Sequence, residues 1–223
     1  MTVPEVMVRG TAEGHLAPDR AALTVTVTGR DPASAERALA AAGGTADRVD
    51  ALLDRSGSGG DPLVHRVRVS SVRVSEVWEH PQGRAQRAGF QAQRSSDVDC
   101  RPDGHALTDL VAALTAAGAQ LTGPHWRVDD ANPGWDGLRV AAVADARRRA
   151  ATYAEAAGLR LGSVLWIAEP GLRGAAGPAA EVRTVRVAAA YPGAGDGEPA
   201  AVRIAVEDVP AGAEIDVAFS LVP

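Results

Sequence analysis

The sequence predicts an α+β fold: antiparallel β-sheet built from hairpins, with about three helices packed on it. Apolar and polar residues alternate over short stretches bounded by turn residues, as where Leu23, Val25 and Val27 interleave with Thr24, Thr26 and Thr28, which is the period of a strand with one buried face. Such stretches come in the order hairpin, helix, hairpin, helix, and strand pairs separated by helices point to α+β rather than to a doubly wound parallel sheet. The segment from Asp136 to Pro170 adds a long alanine-lined helix followed at once by a buried strand.

Along the chain, Val3 to Gly14 and Ala21 to Gly29 read as a hairpin around Leu16-Ala17-Pro18-Asp19. Asp31-Pro32 supplies an N-cap and a first-turn proline for a helix over 32–54, with Ala35, Leu39, Ala42, Ala46, Val49 and Leu53 on its inner face. Gly43-Gly44 weakens that helix by about 1 kcal/mol per glycine relative to alanine and marks a place for a kink. Ser56 to Gly60 is a flexible loop over which neither phosphate-binding glycine pattern can be laid. In the strand from Leu63 to Trp78, valines at 67, 69, 72, 74 and 77 step by two, three, two and three. That spacing shifts the apolar face at Ser70-Ser71 and again at Ser75-Glu76, predicting β-bulges. Ala88 to Cys100 returns as its hairpin partner.

A second helix is predicted over 104–117, with Leu107, Leu110, Val111 and Leu114 inward and Gly118 as its stop. Gln120 to Asp129 is extended. The third helix, 137–157, carries Ala142, Ala146, Ala150, Tyr153 and Ala157 at helical spacing, a small-residue face that lets it lie close on a sheet. Gly158 ends it and Leu161 to Ala168 follows as a strand. A loose glycine-, alanine- and proline-rich stretch comes next, then a strand over Glu181 to Ala190, another loop, and a terminal hairpin of Ala201 to Val206 with Glu214 to Val222 around Pro210-Ala211-Gly212.

Composition narrows the chemistry. With 223 residues and 46% hydrophobic content the chain buries a core, and at 4% aromatics that core is made of Ala, Val and Leu. All 23 basic residues are arginine, which removes Schiff-base and P-loop lysine chemistry. A net charge of -5 with scattered arginines argues against a nucleic-acid partner. The Arg147-Arg148-Arg149 run spans most of a helix circumference and reads as solvated or ion-paired side chains, with an anionic partner as the sharper alternative. Cys100 is the single cysteine and reads as a small strand residue rather than a reactive thiol. The amino terminus shows no basic then apolar leader and no stretch approaches a membrane span, so a cytoplasmic protein with no membrane partner is expected.

No metal or catalytic motif emerges. The histidines at 15, 65, 80, 105 and 125 lack zinc-pair spacing, and G-x-S-x-G is absent, so no cofactor is expected. The densest polar cluster is Asp129, Asp130, Asn132 and Asp136, flanked by Trp126 and Trp135. Trp126, Asp129, Asp130, Trp135 and Asp136 are the candidate ligand-loop residues: acidic side chains offer oxygen ligands to a hard cation, and paired tryptophans can line a small-molecule pocket. Turn formation, helix capping and anchoring of the helix explain the same residues without a ligand.

The opening Val8-x-Gly10-x-Ala12-Glu13-Gly14 with Pro18-Asp19 after it, Gly89-Phe90-x-Ala92, Leu110 followed by Gly118-Ala119, the Ala-Arg helix, and the closing Pro199-x-x-Val202-x-Ile204 and Val217-x-Phe219-x-Leu221 stand in the order of one family. The chain resembles the SIMPL domain, the domain-of-unknown-function-541 family, over nearly its whole length. The resemblance implies a single domain over 1–223, with helix-containing hairpin repeats over 1–130 and the alanine-rich helix with C-terminal strands over 131–223. It implies an α+β protein without established catalytic residues, and one that assembles into a homo-oligomer or docks a protein partner as a scaffold. Family members are often exported, from which this chain departs by its amino terminus. The alternative function is a small-molecule-binding or hydrolytic domain using the 126–136 loop.

Overall fold

The computed structural model describes residues 4–80, 85–172 and 203–223. Its elements are β1 (Glu5–Leu16), β2 (Arg20–Asp31), α1 (Ala35–Ser56), β3 (Val64–Glu79), β4 (Gln86–Cys100), α2 (Gly104–Ala116), β5 (Gln120–Arg127), α3 (Gly134–Ala156), β6 (Arg160–Ala168) and β7 (Val209–Val222). Among the described residues the strands form two antiparallel sheets, so the α+β class expected from the sequence holds. The expected strand over Glu181 to Ala190 and the loops around it from 173 to 199 lie outside the described residues. By contact the described chain falls into two compact units: one takes residues up to Ala17, 128–172 and 208–223, the other 18–127 and 203–207.

In the second unit the strand order is β3-β4-β2-β5. Ala21, Leu23, Val25 and Val27 of β2 point to one face, where they meet Val49 and Leu53 of α1, Leu107, Leu110 and Leu114 of α2, and Val98 and Cys100 of β4. The intervening threonines stay half-buried on the opposite face. This is the alternation expected of a strand with one covered side. The predicted β3–β4 hairpin forms.

The predicted first hairpin does not. β1 pairs with β7 and β2 pairs with β4 and β5. The intended turn does not close on itself: the Ala17 carbonyl accepts from Asn132 Nδ2 at 3.0 Å, while the Asp19 N–H donates to the Arg127 carbonyl at 2.8 Å. Pro18 between them has no N–H to give.

α1 starts later than predicted because Ser34, not Asp31, is its N-cap, accepting from the Arg37 N–H at 3.3 Å. Asp31 instead accepts from the N–H groups of Ala33 and Ser34 at 2.8 and 2.7 Å, a local turn that leads into the cap. The buried row is Ala38, Ala42, Ala46, Val49 and Leu53, so Ala35 and Leu39 fall outside the expected face. The helix runs through Gly43-Gly44 unbroken. α2 is capped by Asp103, which accepts from the Ala106 N–H at 3.1 Å, and ends at the left-handed Gly118, φ 96°.

In the first unit β7 is central, in the order β1-β7-β6, with α3 packed on one face. Val8, Val217 and Phe219 meet Ala146 and Ala150. The α3 face reads Ala142, Ala146, Ala150 and Ala154 with Asp145 beside it. Tyr153 is 62% exposed and Ala157 is exposed, a correction to the expected row. The i, i+4 row passes through 154, and residue 153 sits about 100° around the helix from it.

The expected terminal hairpin is also corrected. Residues 203–208 form no strand, and β7 runs continuously through Pro210-Ala211-Gly212. Pro210 is tolerated because β6 pairs only with 216–222, so among the described residues the ladder at 210 has one neighbour, β1, and the missing N–H can face the side without one.

Candidate functional site

The 126–136 loop is held mainly by its own hydrogen bonds. Trp126 is a residue of β5, partly buried against the core of the second unit, whereas Asp129 onward belongs to the first. Trp135 Nε1 donates to the Asp129 carbonyl at 2.9 Å, the Asn132 N–H donates to the same carbonyl at 3.0 Å, and Asn132 Oδ1 accepts from the Gly134 N–H at 2.8 Å. Asp136, in the first turn of α3, accepts from Arg139 Nη1 at 3.2 Å, where a carboxylate also faces the positive end of the helix dipole. Asp130 is exposed. Thus Asp129 and Trp135 are joined through a backbone carbonyl, Asp136 turns to Arg139, and Trp126 packs with a separate core. Among the described residues no group of three or more His, Cys, Asp or Glu side chains is arranged to hold a metal ion.

A hollow of about 270 Å³ lies instead on the face of the second unit's sheet opposite α1 and α2, lined by Arg66, Arg68, Asp97, Asp99, His125 and Arg127 together with Ala22, Leu23 and Thr24. Register builds it: Arg66, Asp99, Ala22 and His125 form one row across β3, β4, β2 and β5, and Arg68, Asp97 and Thr24 form the next. Side chains directly opposite on antiparallel strands share a face and interact, and Arg68 Nη2 pairs with Asp97 Oδ2 at 3.2 Å. These residues come from separate strands, so no local motif announces them. The only sequence signal is the polar half of each alternating strand.

The outer strand β3 is the other exposed feature. Opposite Val98, Ser96, Arg94 and Ala92 of β4 stand Val67, Val69, Val72 and Val74, all on the helix side. Register shifts occur at His65, Ser70 and between Val77 and Trp78, so the Ser70-Ser71 bulge forms where expected, whereas the ladder runs unbroken through Ser75-Glu76 and the last shift comes from an extra residue of β4, Ala88. The Ser70 bulge keeps the valines on one face while Arg66, Arg68 and Arg73 stay on the other. The valines are nevertheless 39, 48, 59 and 43% exposed, because α1 covers β2 and β4 and reaches only part of β3.

Two further buried groups, Asp145 and Cys100, bear on the chemistry. Asp145 accepts from the Thr11 N–H at 3.0 Å and is clamped by Arg149 at 2.7 Å and by Arg148. The Thr11 hydrogen bond first, and then the two guanidiniums, hold its pKa below the usual carboxylate value. Two members of the arginine run therefore serve α3's own carboxylate. Cys100 is fully buried, and burial, aided by Asp99, pushes its thiol up to about 12, so it is a core residue rather than a nucleophile.

Antiparallel sheets covered on one face by alanine-rich helices define an α+β fold. The chain belongs to the SIMPL family, described as a protein of unknown function (DUF541), which it matches over residues 6–220. No curated protein matches it. Among solved structures it is similar to a putative amidohydrolase/peptidase from Burkholderia cenocepacia, at 18% identity over 52% of this chain and 30% of that one, TM-score 0.33. It is likewise similar to an amidase of the hydantoinase/carbamoylase family from Burkholderia vietnamiensis, at 20% identity over 53% and 29%, TM-score 0.30. In each case the match spans under a third of the other protein.

Proposed function

We propose that this chain is a non-enzymatic assembly module whose work is to build a homo-oligomer, or to dock a protein partner, through a strand edge. The observation that supports this reading is β3: a 16-residue outer strand, unpaired on its far side among the described residues, with its valine row open to water. Unpaired edges are templates for further strands, and an uncovered apolar row favours burial by a partner. Burying half of a valine side chain contributes roughly 1 kcal/mol, so a row of them on each of two surfaces is enough to favour association once the ladder hydrogen bonds are added. Light scattering across micromolar concentrations tests it. A mass well above 22.9 kDa is expected, and a monodisperse monomer throughout would refute it.

The mixed-charge hollow supports a second reading, a small polar ligand held between arginines and carboxylates. For such a ligand Arg66, Arg127 and His125 offer donors and Asp99 an acceptor. Hydrolysis at the 126–136 loop has less behind it, since Asp129's carbonyl, Asn132, Trp135 and Asp136 are spent on the turn and the helix start. Turnover of a generic ester that disappears in Trp126→Ala or Asp130→Ala would favour that loop over the assembly reading.

A further inference from the structure

From Val67 to Val74 the outer strand reads Val-Arg-Val-Ser-Ser-Val-Arg-Val, the same from either end. Its pairing with β4 makes no use of this, because β4 opposite has no such symmetry. A two-fold antiparallel pairing of identical strands does, since there residue i faces j and j faces i. Centred between Ser70 and Ser71, such a pairing sets Val67 against Val74, Val69 against Val72, Arg68 against Arg73 and Ser70 against Ser71. The match ends at Val67 and Val74, because the register shift at His65 leaves Val64 on the helix side while Val77 lies on the opposite face.

We propose that a second copy of this chain adds its β3 antiparallel to the first copy's β3 about a two-fold axis at Ser70-Ser71. The proposal rests on the assembly reading above and specifies its partner and register. With the axis normal to the sheet, the helix-side faces of both copies stay on one side, so the two valine rows become one continuous apolar strip. The Ser70 bulge, which would throw an ordinary pairing partner out of step, lies at the symmetry centre. Each flank keeps its own alternation, and valine meets valine on both sides of it. Over Val67 to Val74 the shared edge is about 27 Å long. Arg68 against Arg73 is the unfavourable pair, since like charges directly opposite are destabilising. Its cost is lowered by Asp97, already paired with Arg68 at 3.2 Å, and by screening at physiological salt. A partner of unrelated sequence would have no reason to meet a palindrome.

Cysteine pairing reads the register directly, and the buried Cys100 does not compete. In the proposed dimer residues 69 and 72 of opposite copies face each other, with Cα atoms about 4.5 to 5.5 Å apart, inside disulfide range. Two copies of residue 69 are offset by three positions, about 10 Å along the strand, and cannot bridge. A mixture of Val69→Cys and Val72→Cys proteins under mild oxidation is therefore expected to give at least ten-fold more covalent dimer than either variant alone. Val72→Lys, an exposed substitution checked for folding by circular dichroism, is expected to raise the dimer dissociation constant at least ten-fold. Equal cross-linking by the single variants, or an oligomer that neither cross-links in the mixture nor weakens in Val72→Lys, overturns this interface while leaving assembly itself standing. A wild-type monomer overturns both.

Discussion

Gly10→Ala is expected to destabilise the protein although the glycine's backbone conformation is one that alanine adopts. Gly10 lies in β1 directly under α3. A Cβ built there stands 2.7 Å from the Ala146 nitrogen and 2.8 Å from its Cβ, and closer still to the Ala142 carbonyl oxygen. These are mostly backbone atoms of a helix and cannot swing aside. Restoring contacts near 3.4 Å moves α3 away by at least about 0.7 Å, and gaps of that size forfeit a quarter to a half of each contact's ~0.1 to 0.2 kcal/mol. Over a few tens of atom pairs along the Ala142, Ala146, Ala150 and Ala154 seam this comes to about 1 to 3 kcal/mol, the usual range for overpacking. Restricting the unfolded chain returns about 0.4 to 1 kcal/mol, leaving a net loss centred on about 1 kcal/mol and a fall in Tm of roughly 2 to 4 °C. Urea denaturation followed by circular dichroism measures it. A midpoint equal to or above wild type would show that α3 does not lie on β1 as closely as the seam requires.

Ala146→Leu or Ala150→Leu should cost about 1 to 3 kcal/mol by the same overpacking, while Tyr153→Ala on the exposed side changes the denaturation midpoint little; comparable losses in all of them would mean the wrong face is buried. Gly44→Ala, where an added Cβ meets no atom within 4 Å, should stabilise by about 0.5 to 1 kcal/mol through helix propensity, and no gain would place that turn outside regular helix. Acid should weaken the fold through carboxylates whose folded pKa is depressed: Asp31, lowered to about 2 by Arg37 and then by the Ala33 N–H, together with Asp103 and Asp145. Their ionised forms stabilise the native state above the unfolded value near 4, and that contribution drains away as pH falls from about 4 toward about 2. The stability gap between wild type and Asp31→Asn should therefore narrow from pH 6 to pH 2, and a constant gap would remove Asp31 from the acid response.

What the sequence made legible was local periodicity. The positions of α1, α2 and α3, the β3–β4 hairpin and the Ser70 bulge all follow from spacing within a dozen or so residues. Strand partners set by long range did not. β1 carries the same alternation whether it pairs with β2 or β7, and its choice depends on where Ala17 and Asp19 send their hydrogen bonds. Pro210 looked like a turn because a proline signals one locally, and only the short reach of β6 shows why a strand can carry it. The candidate site behaved likewise. The 126–136 cluster stood out because its acids are adjacent in sequence, yet adjacency served a turn, whereas the hollow's arginines and aspartates meet only through register across separate strands.

Both units use one joint, and the joint bears on why an edge is left open. Gly10 lies under Ala142 and Ala146 of α3, and Gly29 of β2 lies under Ala38 and Ala42 of α1, each glycine so close that a methyl group would strike helix backbone. Close approach of this kind suits a chain with many alanines and few aromatics, because it gains contact without large side chains. It also narrows what a helix can cover. Methyl groups reach only the strands directly beneath them, while a Leu or Phe on the flank of α1 would extend over its neighbour. Leu39, the large apolar residue nearest that role, is itself largely exposed. Among the described residues, the small-residue seam that seats α1 on β2 and β4 thus leaves the helix side of β3 without a roof, and the palindromic valines stand where a symmetric partner can supply one.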